Sequence, residues 1–60
     1  MRVEIYLKDT SQPIIYENAK NTYQKGDLFC VFYIFVNDEQ WVDKYSMRDK
    51  NIQKIRETYH

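Results

Sequence analysis

One cysteine, one glycine, one proline and one histidine are spread over sixty residues, and each scarcity closes off a class of protein. A lone Cys30 makes no internal bridge, so the chain is not a disulfide-stapled scaffold. Set mid-strand among apolar neighbours, its thiol is expected to be inert, and an unpaired cysteine fits a reducing compartment. With Gly26 as the sole glycine, neither a GxGxxG turn nor a Walker-type phosphate loop exists. The sole histidine is His60, where fraying is expected, so a nucleophile has no positioned base beside it and no enzyme is expected. Zinc takes four ligands, usually Cys and His, so neither metal nor cofactor is expected. Nine basic residues balance nine acidic ones, which excludes a polybasic nucleic-acid arm and a strongly acidic DNA mimic. The longest apolar run, Leu28 to Val36, is nine residues, well short of the roughly 20 of a membrane helix. The opening MRVEIYLKD alternates apolar and polar residues and is no signal peptide. The expected location is the cytoplasm.

Aromatic side chains are what the chain has in plenty: six Tyr, three Phe and one Trp, 17% of the total. That is not the composition of a disordered segment. Sixty residues make one small domain, 1–60, at the lower end of what folds alone, because so short a chain buries only about 60% of its unfolded surface. Without a disulfide or a metal, stability must come from dense ring packing, from oligomerisation, or from both.

Val3, Ile5 and Leu7 alternate with Glu4, Tyr6 and Lys8, the period-two pattern of a half-buried strand. Asp9 to Pro13 suits a turn, and a second strand is expected over Ile14 to Ala19. Asn18 to Asp27 is polar, ends in the turn signal Lys25-Gly26-Asp27, and places Tyr23 where it folds back onto the core edge. Leu28 to Val36 is rich in β-branched and ring residues and reads as the central strand. One face holds Leu28, Cys30, Phe32, Ile34 and Val36, assigned to the core; the other holds Phe29, Val31, Tyr33 and Phe35. Both faces are apolar, so both need a cover. Asn37 to Gln40 makes a hairpin loop, and Trp41 to Met47 returns antiparallel. Residues 48–60 allow two readings: a helix, with Ile52, Ile55 and Tyr59 at helical spacing, or a closing strand.

The stretch Met47-Arg48-Asp49-Lys50-Asn51-Ile52-Gln53-Lys54-Ile55 resembles the closing strand of Sm-like small barrels, which carry an apolar residue, then Arg-Gly, then two aliphatics three apart. Arg48 and the Ile52/Ile55 pair match, while Asp49 stands in place of the glycine. The family's N-terminal helix and its Asp/Asn-containing RNA-binding loop are absent. The resemblance therefore implies a barrel fold and not an RNA-binding function. The chain is also similar in length and style to short phage- and prophage-encoded β proteins, which would imply a host protein that it inhibits. The fold expected is all-β, a small antiparallel five-stranded barrel or curved sheet. The alternative is α+β, a four-stranded antiparallel sheet with a C-terminal helix.

Two functional surfaces follow. A contiguous apolar face on the central strand marks an interaction site, and rings anchor interfaces. Phe29, Tyr33, Phe35 and Trp41 are thus the expected residues of a non-enzymatic protein-binding module, self-associating or directed at another protein. The alternative is nucleic acid. Residues 1–43 hold four basic and seven acidic groups, and residues 44–60 hold five basic and two acidic, so the segments carry −3 and +3. Lys44, Arg48, Lys50, Lys54 and Arg56, beside Tyr45 and Tyr59, would then follow a phosphate backbone.

Overall fold

The structure, a computed structural model, describes residues 1–59. Six strands run in chain order: β1 (Arg2–Leu7), β2 (Ile14–Tyr16), β3 (Asn21–Lys25), β4 (Leu28–Ile34), β5 (Gln40–Ser46) and β6 (Ile52–Thr58). They form two three-stranded antiparallel sheets, ordered β2-β1-β6 and β3-β4-β5. The all-β antiparallel architecture is as expected. The five-stranded barrel is not seen, because the strands divide between two sheets. No helix forms in the described part of 48–60, where a turn leads into strand β6 over Ile52–Thr58.

The division has a local cause. β2 ends at Tyr16 rather than continuing to Ala19. Ala19 then exchanges backbone hydrogen bonds with Met1, its N–H reaching the Met1 carbonyl at 2.9 Å and the N-terminal ammonium reaching the Ala19 carbonyl at 3.0 Å. The next residue turns to the other sheet, the Lys20 N–H donating to the Phe32 carbonyl at 2.8 Å. Adjacent residues thus belong to different sheets, and the chain turns a corner there. Residues 21–25, read from sequence as part of a polar turn, are strand β3, an edge strand with a single partner, β4. An edge strand needs no continuous apolar face, so its polar sequence concealed it. Gly26, at φ +60°, supplies the left-handed turn between β3 and β4.

The core sits between the sheets. Val3 and Ile5 of β1, Val31 of β4 and Ala19 at the corner are fully or almost fully buried, with Phe29, Tyr33, Tyr45, Tyr16 and Ile55 packed around them. The two faces of β4 are therefore reversed from the expectation, with Phe29, Val31 and Tyr33 facing the other sheet, although Cys30 on the opposite face is buried as expected. Both faces are apolar, so alternation alone did not choose between them. The flanking rows did. Cross-strand register places Lys25 beside Leu28 and Lys44 beside Cys30, and lysines keep their ammonium groups in water. The outer rows of the second sheet are Lys25–Leu28–Ser46, Tyr23–Cys30–Lys44 and Asn21–Phe32–Val42.

β6 explains the two isoleucines three apart. Its register on β1 shifts between Tyr6 and Leu7, so that Tyr6 opposes Lys54 and Leu7 opposes Ile52. Gln53 is the extra residue of a β-bulge, which changes the parity of the strand. Ile55, opposite Ile5, and Ile52, opposite Leu7, thereby share the inward face despite a spacing that mimics a helix.

Candidate functional site

Four rings form a chain that leads out of the interior. Tyr16 of β2 lies 5.4 Å from Tyr33 of β4, Tyr33 lies 6.3 Å from Phe35, and Phe35 lies 6.0 Å from Trp41 of β5, each pair tilted by 45–48°. Tilted pairs of this kind are each worth about 0.5–1.5 kcal/mol beyond area burial. The outer end is fixed by the tight turn between β4 and β5. The Phe35 N–H donates to the Glu39 carbonyl at 2.8 Å, and the Asp38 N–H returns to the Phe35 carbonyl at 3.0 Å. Asp38 takes a left-handed φ of 65°, which Asp tolerates better than most residues. The Glu39 carboxylate accepts from the Asn37 amide at 2.9 Å and from the Trp41 indole N–H at 3.2 Å, so one acidic side chain holds the indole in place.

The inner end of the ring chain is a cluster of hydroxyls around one carboxylate. Tyr16 donates to Asp43 at 2.6 Å and Tyr33 donates to the other oxygen of Asp43 at 3.3 Å. Tyr45 is hydrogen-bonded to the Tyr16 hydroxyl. With the Tyr16 proton committed to Asp43, Tyr45 is the donor in that pair. Burial, reinforced by the Asp43 charge, raises the pKa values of Tyr16, Tyr33 and Tyr45. These phenols hold their protons well past neutral pH and act there as hydrogen-bond donors.

Beside the rings, the corner after β2 and the end of β4 enclose an open groove of about 280 Å³, lined by Ile15, Tyr16, Ala19, Tyr33, Phe35 and Val36 among others. Phe35 is 49% exposed, Trp41 46% and Val36 97%. Ile15 and Ile34 are exposed beside them. Apolar side chains so concentrated at one end of a small protein form a patch rather than scatter.

Of the four expected partner-binding residues, Phe35 and Trp41 stand at this surface, whereas Phe29 and Tyr33 are half-buried against Val31. Sequence reasoning did not pick out Tyr16, Ile15 or Asp43. Asp43 left a signal: a carboxylate between Trp41 and Tyr45 on one strand face requires donors from elsewhere. The five basic residues of the C-terminal segment are spread over separate elements. Lys44 lies on the outer face of β5 beside Cys30. Arg48 pairs with Asp27 at 3.0 Å, and Lys50 lies in the turn before β6. Lys54 and Arg56 are on β6 opposite Tyr6 and Glu4, with the Lys54 ammonium 4.6 Å from the centre of the Tyr6 ring. Tyr45 belongs to the hydroxyl cluster, and Tyr59 donates to Glu57 at 2.7 Å, which raises its pKa.

Comparison with protein-family models, curated proteins and solved structures finds no match. The class that can be stated is a small antiparallel β protein of two facing sheets with an aromatic groove at one end.

Proposed function

We propose that the chain is a non-catalytic protein-interaction module that associates through the groove at Phe35, Ile15 and Val36 and the adjacent Trp41, in the first place with a second copy of itself. The observation that carries this reading is the half-exposed Phe35–Trp41 pair, anchored through Tyr33 and Tyr16 to a rigid interior. Pre-ordered rings lose little conformational freedom on binding, which is why such rings anchor interfaces. The small core supports the same conclusion. Five buried apolar residues among the described residues are few for a domain that relies on no disulfide, and a partner that covers the groove adds burial where the chain is short of it.

Light scattering over a range of concentrations tests the proposal. Wild type is expected to rise toward twice the monomer mass, and Phe35→Asp to stay monomeric with an unchanged circular-dichroism spectrum. A wild type that remains monomeric at every concentration rules out self-association. Loss of the fold in Phe35→Asp would make the residue part of the core instead.

A further inference from the structure

We propose that the outer face of the second sheet binds single-stranded nucleic acid, the bases stacking on Tyr23 and Phe32 and the phosphates meeting Lys25 and Lys44. This surface is separate from the Phe35–Trp41 rings, and the proposal stands apart from self-association there.

Three observations on this face point the same way. The first is its charge. The rows that pair β3, β4 and β5 on this side contain Lys25 and Lys44 and no carboxylate, and neither lysine is in an ion pair among the described residues. The outer face of the first sheet is the contrast. There cations and carboxylates are mixed: Arg2 lies 3.6 Å from Glu4 and 2.6 Å from Glu17, Arg56 lies opposite Glu4, and Lys54 sits over the Tyr6 ring. A chain with no net charge thus keeps one face uniformly cationic.

The second is the placement of the rings. Tyr23 is 42% exposed and sits directly across from Cys30, two residues from the half-buried Phe32 on the neighbouring strand, which lies beside the hollow rather than in its lining. Such diagonal neighbours are about 7–8 Å apart, a spacing that suits bases of a strand opened out from its own stack. Every base has a π-face, so recognition by stacking tolerates sequence and requires single strands.

The third is shape. Tyr23, Lys25, Leu28, Val42 and Lys44 line a hollow of about 450 Å³, with both lysines at a surface that also presents a ring. A two-fold contact between copies through this face would set lysine against lysine, which disfavours a second copy as occupant. A polyanion with flat apolar groups satisfies the charge and the rings together.

The experiment is fluorescence anisotropy of a short labelled oligothymidylate and of the corresponding duplex, titrated with the full chain at two salt concentrations. The expected result is preference for the single strand and weaker binding as salt rises. Tyr23→Leu keeps an apolar cover over Cys30 and removes the ring, and is expected to weaken binding about tenfold. Lys44→Glu is expected to weaken it and flatten the salt dependence, while Lys54→Glu, on the other sheet, leaves it unchanged. Circular dichroism of each variant separates lost binding from lost fold. Equal affinity for duplex, an unaffected Tyr23→Leu, or an equal loss in Lys54→Glu would each overturn the proposal. So would binding to anionic phospholipid vesicles without binding to the oligonucleotide.

Discussion

The interior has two kinds of region, and they are held together by different physics. At the centre, Val3 and Ile5 of β1 and Val31 of β4 exclude solvent completely and bring no polar atom that needs a partner. On either side of them the register places polar residues: Tyr16 and Glu57 beside Val3 in one sheet, Thr22 and Asp43 beside Val31 in the other. Those four join the sheets in pairs, Tyr16 to Asp43 and Thr22 to Glu57. The centre is non-directional and tolerates small shifts. The flanks are directional and fix how one sheet sits over the other. With so few residues wholly buried, the polar flanks act as the rest of the core.

Removing side-chain volume from the centre should have the largest effect. Ile5→Ala is expected to cost about 3 kcal/mol, read as a fall in the urea midpoint, and a loss below about 1 kcal/mol would show that the flanks alone hold the sheets. Asp43→Ala comes next. It strips the acceptor from both Tyr16 and Tyr33, and is expected to cost about 1–3 kcal/mol. Thr22→Ala, which breaks a single bond on the opposite flank, should cost less than Asp43→Ala; an equal loss would mean that the shared carboxylate adds nothing beyond one hydrogen bond. The smallest effect at neutral pH is on the phenols themselves. Tyr16, Tyr33 and Tyr45 titrate above the ordinary value of 10.0 in the folded state. The unfolded chain therefore loses these protons first as pH rises. Their contribution is fully present below about pH 10 and declines above it. Melting temperature should thus be flat from about pH 8 to 9.5, then fall, and Tyr16→Phe should make that fall shallower.

Strand positions were legible where apolar and polar residues alternate or where β-branched and ring side chains run together. Val3, Ile5 and Leu7 marked β1, and the ring-rich run from Leu28 marked β4, although β4 ends at Ile34 and the turn begins at Phe35. Its inward face was not legible, because Phe29, Val31 and Tyr33 are as apolar as Leu28, Cys30 and Phe32. Only knowledge of which rows carry Lys25 and Lys44 settles the choice. β3 was missed because Asn21–Lys25 lacks an apolar face, and Tyr23, assigned to the core edge, lies outside it. The bulge at Gln53 disguised a strand as a helical repeat. At the candidate site, Phe35 and Trp41 were recognisable by type, whereas Tyr16 and Asp43 are 27 residues apart and meet only once the sheets face each other.

The two sheets also differ in the length of chain that each must wait for. The second is a meander complete within residues 21–46, every pairing made between neighbours in sequence. The first is not finished until β6 returns to β1, placing Thr58 beside Arg2. During synthesis, the early strand therefore stands with an unsatisfied edge until the last strand has emerged. Closing so long a loop is the slow event in such a topology. The local meander can form first, and its Val31 face is the surface that β1 and β6 cover once they have paired.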